Sequence, residues 1–250
     1  MRRAATGALL ATFLKWVLLD RRPGGFAGWR RTNYRGAAVS LLSGPVLMVA
    51  AGATARLPTR SILASAVGAG LVGRYDDVAG AEGTRGLRGH LGALRDGSVT
   101  TGSLKVVGMA AAGVASVRSL DSGRRTERLV AALLVAGSAN LLNLLDLRPG
   151  RALKVGAALA ACMRQPGVCA VCLALMPADL GERTMLGDAG ANSLGALLGA
   201  SAVQRWGPGR QRVALLVVVA LTAASEVVSY SAVIDRVGPL RWLDRLGRRR

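Results

Sequence analysis

Two adjacent carboxylates end an apolar stretch in the sequence G-R-Y-D-D, residues 73–77. Like charges side by side repel each other, and desolvation near a bilayer makes the pair costlier still. Such a pair can bind a hard divalent cation, or hold one proton and act as a base. The alternative is an interfacial helix cap. Asp76 and Asp77 are therefore candidate catalytic residues whose structural role stays open.

A second polar pattern lies in the sequence N-L-L-N-L-L-D, residues 140–146. A spacing of three places Asn140, Asn143 and Asp146 on adjoining parts of one helical face. Polar stripes in apolar helices usually face a bundle interior or a ligand cavity. Hydrogen bonding of the asparagines to a neighbouring helix is the alternative. The pattern thus predicts three substrate-binding candidates.

A third candidate is Asp188, in the sequence M-L-G-D-A-G-A-N-S-L-G. The flanking glycines, Gly187 and Gly190, let the backbone approach a ligand closely, and the start of the following helix favours anions. The alternative is that Asp188 caps this helix.

Cationic and amide side chains accompany these carboxylates. The stretch R-T-N-Y-R-G contains Asn33 and Arg35, which suit a phosphate group or an anionic lipid equally well. A glycine-rich stretch contains Arg85 and His90 and predicts an ordered loop that folds back over the site. A lone histidine is nevertheless more often an ordinary loop residue. Lys105, early in an apolar segment, can extend to the interface or reach a phosphate.

The elements that must position these residues are apolar segments. Nine of them lie near 4–19, 36–55, 61–75, 99–117, 128–147, 151–163, 167–177, 189–204 and 212–234. Several are shorter than the roughly 20 residues of a perpendicular span. The segments at 151–163 and 167–177 are either two short spans or one re-entrant hairpin. The first segment lacks a small-x-small cleavage site, so we interpret it as a retained membrane helix.

Composition and charge favour a membrane protein. The chain has 250 residues, 51% of them hydrophobic, and a net charge of +19. Basic residues lie between the apolar segments, as in membrane proteins with basic loops. Only 4% of residues are aromatic, which leaves few stacking platforms and argues against nucleic acid as a partner. The three cysteines lie in apolar surroundings and are interpreted as structural.

We therefore predict an all-α, polytopic membrane protein with about nine transmembrane helices and a single integral domain over residues 1–250. Lysine and arginine are more abundant in the loops at 21–35, 74–98, 148–154 and 179–188 and in the C-terminal tail. By the positive-inside rule, the N-terminus lies outside and the C-terminus is cytoplasmic. Most acidic residues fall in the same loops.

Taken in order, G-R-Y-D-D, N-L-L-N-L-L-D and L-G-D-A-G-A-N-S-L-G resemble the polyprenyl-phosphate N-acetylhexosamine-1-phosphate transferases. That family includes the phospho-N-acetylmuramoyl-pentapeptide transferase of peptidoglycan synthesis and the undecaprenyl-phosphate N-acetylglucosamine-1-phosphate transferases. The resemblance covers about residues 30–235. It implies a multi-pass plasma-membrane enzyme that transfers a sugar-1-phosphate from a UDP-sugar to a polyprenyl phosphate and requires Mg²⁺. A homodimer is one option for its assembly.

The resemblance also implies residue roles. Asp188 corresponds to the Mg²⁺ ligand, and Asp76 and Asp77 correspond to the pair that positions or deprotonates the lipid phosphate, with Asp77 helping to bind the metal. Asn143 and Asp146 match the start of the family's N-x-x-N-x-x-D-G-x-D-G sequence. Asn33 to Gly36 stand in the place of its early glycine-containing polyprenyl-phosphate motif.

The chain departs from the family in three places. After Asp146 it reads L-R-P-G-R, without the second aspartate that is associated with the nucleoside pocket. No lysine follows the aspartate pair closely, and the late histidine-rich motif is missing because His90 is the single histidine. These departures motivate an alternative function, a catalytically inactive relative that acts as a membrane scaffold or binds lipid phosphate for envelope enzymes. A transporter is a weaker alternative, since no inverted repeat with paired broken helices is evident.

Overall fold

The computed structural model describes residues 1–20, 27–79, 101–118 and 123–249. Most of these residues are helical, which confirms the all-α prediction. The exception is a small antiparallel hairpin, in which strand β1 (Arg30–Thr32) pairs with β2 (Ala38–Ser40) and Arg31 lies opposite Val39.

Twelve helices are described along the chain. Their bounds are α1 Arg2–Lys15, α2 Ser43–Thr54, α3 Thr59–Ile62, α4 Ala69–Ala79, α5 Thr101–Val117, α6 Arg125–Leu145, α7 Arg151–Cys162, α8 Pro166–Leu180, α9 Gly187–Arg205, α10 Pro208–Ser225, α11 Tyr230–Arg236 and α12 Gly238–Arg245. Two π-helical segments, Trp16–Asp20 and Leu63–Gly68, extend α1 and join α3 to α4.

Helix α9 is the centre of the fold, because nearly all of its residues are buried among α6, α4 and α2. Small residues make this possible. A Cβ at Gly195 would overlap the carbonyl of Ser138 in α6, and one at Gly199 would lie 2.8 Å from the Cα of Val135. Helices can approach this closely only where one of them carries glycine.

The structure supports part of the membrane prediction. Among the described residues, α6 is the one helix long and apolar enough to cross a membrane. Helices α10 and α11 make a second if they form one broken span, although they are bent by 95°. Shorter apolar helices include α2 and α8. One or two such helices are compatible with a membrane location, and the count of about nine spans is not confirmed.

Three helix ends meet on one side of the molecule, where α4 and α6 end and α9 begins. The β hairpin joins them through the backbone: the N–H of Ser40 donates to the carbonyl of Arg183 at 3.1 Å, and the N–H of Met185 donates to the carbonyl of Ser40 at 3.0 Å. The fold thereby brings the hairpin, the segment before α9 and three carboxylate-bearing helix ends together.

Candidate functional site

An ammonium group bridges two carboxylates at these helix ends. Nζ of Lys105 donates to Oδ2 of Asp76 at 2.8 Å and also to Oδ2 of Asp188. When the amide of Asn143 is oriented to satisfy both neighbours, it donates to Oδ1 of Asp188 at 3.0 Å and accepts from Nζ of Lys105 at 3.0 Å. We call these four residues the Lys105 cluster. Residues far apart in sequence therefore form one hydrogen-bonded group.

A glycine allows the two helices with carboxylates to approach. Gly73 lies one turn before Asp77 on α4, and a Cβ there would overlap the backbone carbonyl of Asp188. Because Gly73 has no side chain, the last turn of α4 packs directly on the first turn of α9. This contact brings Asp76 and Asp188 within reach of the same ammonium group, that of Lys105.

Asp77 has a different environment from its neighbour Asp76. Its Oδ1 accepts the N–H of Asp188 and its Oδ2 accepts the N–H of Ala189, both at 3.1 Å. Arg31 donates to it at 2.8 Å, and the Asp77 side chain is fully buried. A carboxylate that binds the first N–H groups of a helix also interacts favourably with the helix dipole. These contacts favour a capping role for Asp77 over the predicted metal-binding role.

Asp146 also accepts a backbone N–H at the start of α9. Its Oδ2 accepts the N–H of Gly187 at 2.9 Å, and its side chain is buried. Gly187 has φ of +62°, in the left-handed region that favours glycine. Asp146 thus holds the turn that presents Asp188.

A cleft of about 380 Å³ opens beside these residues and is lined by both signs of charge. Its carboxylates include Asp146 and Asp188, and its cations are Arg31 and Arg148. Sequence reasoning missed Asp179, which also lines the cleft, is buried and accepts the N–H of Gly150 at 2.9 Å. Like Asp146, Asp179 ends an apolar helix, and that position was the available clue.

The hairpin candidates lie at the rim of this cleft. Oδ1 of Asn33 accepts the N–H groups of Arg35 and Ala37 at 2.9 and 3.0 Å, so Asn33 shapes the hairpin turn. Its Nδ2 donates to Glu182 at 2.8 Å, and Arg35 lies 3.3 Å from the same carboxylate. Asn33 lines the cleft, whereas Arg35 is exposed outside it.

Three other candidates are not among the described residues that line the cleft. Asn140 precedes Asn143 on α6 and is half-buried, but it is not one of the described residues that line the cleft. Arg85 and His90 lie in segment 80–100, outside the described residues. Asn192, one turn after Asp188, is buried, and neither atom of its amide has a partner in the part of the chain that the structure describes.

The side chains of the site can be compared with the ligands that Mg²⁺ requires. Within residues 1–20, 27–79, 101–118 and 123–249, no three His, Cys, Asp or Glu side chains are grouped so as to hold a metal ion. Mg²⁺ in phosphoryl-transfer sites, however, uses one or two carboxylates together with substrate phosphates and water. Asp188, Asp76 and the Asn143 amide oxygen fit that requirement. Both oxygens of Asp77 already accept backbone N–H groups, and Oδ1 also binds Arg31, so Asp77 has fewer lone pairs to offer and its metal-binding role stays a prediction.

The Lys105 cluster is consequently a paired carboxylate site with a resident cation, next to a cleft with two arginines. Because four carboxylates line this cleft against two arginines, the site would need a bound divalent cation before it could neutralise and orient a phosphorylated ligand. Neither known protein-family models nor curated proteins match this chain, so the family resemblance rests on the three motifs and their shared location.

Proposed function

We propose that this protein transfers a sugar-1-phosphate from a nucleotide-sugar, most simply a UDP-sugar, to a polyprenyl phosphate at the cytoplasmic face of the plasma membrane. The product would enter cell-envelope polymer synthesis. The observation that carries the proposal is the contact of Lys105 with both Asp76 and Asp188 beside a cleft that contains Arg31 and Arg148.

The proposed reaction is a phosphoryl transfer. An oxygen of the lipid phosphate forms a bond to the β-phosphorus of the donor, and the bond from that phosphorus to the bridging oxygen breaks, so UMP leaves with the electron pair. Catalysis of this kind depends mainly on positioning and charge neutralisation. Bound Mg²⁺ would supply neutralisation of the diphosphate, with Asp188 and Asp76 as its ligands.

The protein's own side chains would supply the remaining positive charge. Arg31 and Arg148 face the cleft and can bind the donor's phosphate oxygens. Lys105 holds Asp76 and Asp188 near each other before substrate binds, and Asn143 fixes the second oxygen of Asp188. An acidic site that binds anionic substrates needs such compensation, because carboxylates alone would repel them.

The proposal includes a multi-pass architecture of about nine spans with the N-terminus outside and the C-terminus cytoplasmic. Apolar side chains on the outer surface support it. On α10, Leu216 is 69% exposed and Val213 is 61% exposed, and on α5 Val107 is 64% exposed. Exposed apolar surface of this kind fits lipid better than water.

The decisive experiment is transfer of radiolabelled sugar from a panel of nucleotide-sugars into a lipid extract, with purified protein, polyprenyl phosphate and Mg²⁺. We expect a lipid-linked product from the wild type and at least about a hundredfold less from Asp188→Asn, as for loss of one electrostatic contact in an active site. Asp235→Asn, an exposed carboxylate outside the cleft, is the matched control. Absence of an Asp188-dependent product with every donor would overturn the proposal.

A second candidate function is the non-catalytic scaffold. Two of the candidate carboxylates, Asp77 and Asp146, already bind the backbone at the start of α9, so part of the motif serves the fold. If the scaffold is the true function, Asp76→Asn and Asp188→Asn will support growth as well as the wild type does in cells that depend on the protein.

A further inference from the structure

Asp244 holds the C-terminal helix α12 against the rest of the protein. Nε and Nη2 of Arg151 donate to the two carboxylate oxygens of Asp244 at 2.8 and 3.2 Å, and Arg248 donates to the same carboxylate at 2.6 Å. Nζ of Lys154 donates to three backbone carbonyls, those of Leu243, Asp244 and Leu246. The inward face of α12 is therefore polar, and Asp244 is buried.

The outward face of the same region is apolar. Trp242 is 64% exposed, and Leu240, Leu243 and Leu246 are all exposed as well. This is the reverse of the usual arrangement, in which a surface helix turns its apolar face to the core. A helix with its charged side against the protein and its apolar side outward suits an apolar neighbour beyond the chain.

A basic cleft of about 850 Å³ adjoins this helix, and we call it the C-terminal cleft. Seven of its lining residues are arginines and two are aspartates. Asp244 is already matched by Arg151 and Arg248, and Asp235 pairs with Arg245 only at 3.4 Å on an exposed surface. The cleft therefore presents positive charge in excess.

Apolar and basic surfaces meet in this cleft, because Trp242 and Leu246 line it together with Arg241 and Arg245. Tryptophan beside arginine, at the end of an apolar helical region, is typical of contact with the headgroup layer of a membrane. Clusters of basic residues next to such a helix attract anionic lipids. The positive charge of the cleft and its exposed apolar side chains therefore both match an anionic lipid.

We propose that the C-terminal cleft binds the headgroup of an acidic phospholipid, with its phosphate between Arg241 and Arg245 and its acyl chains against Trp242 and Leu246. Helix α12 then lies in the membrane interface. The C-terminal cleft adjoins the cleft beside the Lys105 cluster, because Tyr34 and Arg148 line both, but the proposed phosphate site contains none of the four residues of that cluster. The proposal holds equally for an enzyme or a scaffold, since it depends only on a membrane location.

The test uses the full chain in nanodiscs of phosphatidylcholine and phosphatidylglycerol, with bromine on the acyl chains of one lipid or the other. Bromine quenches nearby tryptophan, so the difference between wild type and Trp242→Phe isolates the emission of Trp242. We expect several-fold stronger quenching of Trp242 by brominated phosphatidylglycerol than by brominated phosphatidylcholine at equal mole fraction. Arg241→Gln with Arg245→Gln should abolish this preference. Arg210→Gln with Arg212→Gln, two exposed arginines at the start of α10, should retain it.

Two results would overturn the proposal. Equal quenching by both lipids, unaffected by loss of Arg241 and Arg245, would mean that the cleft has no preference for acidic headgroups. Unquenched Trp242 would mean that α12 does not touch lipid, and a dimer that dissociates in Trp242→Arg would then identify a second copy as the occupant. The emission that remains in Trp242→Phe reports membrane contact by the rest of the chain, so it separates failure of this site from failure of the membrane assignment.

Discussion

The carboxylate of Asp77 binds the backbone N–H of Asp188, so one acidic residue of the site holds another in place. The same carboxylate accepts the N–H of Ala189, and Arg31 pairs with it. The acidic pair is thereby divided in function: Asp76 faces Lys105, and Asp77 anchors the start of α9.

This division predicts that Asp77→Ala damages stability first. Removal of the cap leaves two N–H groups at the start of α9 unpaired, at a cost of about 1–2 kcal/mol in the free energy of unfolding. Thermal unfolding in detergent should show a lower Tm. Asp235→Asn, on an exposed surface, is the control and should leave Tm unchanged. If Asp77→Ala kept the wild-type Tm but lost activity, Asp77 would act chemically and the capping role would be wrong.

Gly73 is predicted to be essential for the approach of α4 to α9. A Cβ at Gly73 would overlap the carbonyl of Asp188, so Gly73→Ala must push the helices apart, at a cost of about 1–3 kcal/mol. Gly68→Ala is a matched control in the adjoining π-helical segment, because its Cβ would meet Ala112 at an ordinary 3.8 Å.

Both Tm and sugar transfer are measured for Gly73→Ala and for Gly68→Ala. We expect Gly73→Ala to lower both and Gly68→Ala to lower neither by a comparable amount. Equal effects of the two substitutions would show that the close contact at Gly73 has no special importance.

Part of the candidate site could be predicted from the sequence, because polar side chains in apolar helices usually face the interior of the helix bundle or a ligand cavity. The spacing of Asn143 and Asp146, and the glycines around Asp188, placed all three side chains in one region, as the contacts bear out. The sequence could not distinguish a cap from a metal ligand at Asp77, since a carboxylate at a helix end can do either. Asp179 was missed because, unlike Asp146, it is not preceded by asparagines at helical spacing.

The spans were harder to predict for a related reason. Hydropathy records how apolar a segment is but not whether its helix is continuous. The segment 61–75 reads as one span, and its helical backbone is indeed continuous through α3, the π-helical segment Leu63–Gly68 and α4. The segments at 151–163 and 167–177 form two helices, α7 and α8, joined at Gln165, which donates to Ser201 at 2.9 Å.

Lys105 is predicted to compete with Mg²⁺ for the same carboxylates. Lys105→Met removes the cation between Asp76 and Asp188 and should cost about 1–3 kcal/mol without added metal. Millimolar Mg²⁺ should then raise the Tm of Lys105→Met by more than it raises that of the wild type. Lys154→Met is the control, since it also loses hydrogen bonds but frees no carboxylate, because Arg151 and Arg248 still bind Asp244. An equal Mg²⁺ effect on both variants would contradict a divalent site at Asp76 and Asp188.

The docking of α12 is predicted to depend on pH through Asp244. Burial alone would raise the pKa of this carboxyl, but the hydrogen bond and charge of Arg151 and the charge of Arg248 outweigh it and hold the pKa below its ordinary value of 3.8. A carboxyl with a depressed pKa in the folded state contributes stability above its unfolded pKa, and that contribution is lost as pH falls through the folded pKa. Asp244→Asn should therefore weaken docking of α12 by about 1–3 kcal/mol at pH 7 and progressively less below pH 3.8.

Hydrogen exchange of the α12 amides, followed from pH 7 to pH 3, measures this difference directly because it reports local opening. Exchange rates must be corrected for the intrinsic pH dependence of amides before wild type and Asp244→Asn are compared. The exposed carboxylate of Asp235 provides the control, and Asp235→Asn should match the wild type at every pH since its pairing with Arg245 is long and solvated. A constant gap between wild type and Asp244→Asn across this range would mean that the carboxylate's charge contributes nothing to docking, and that α12 is held by the Lys154 contacts instead.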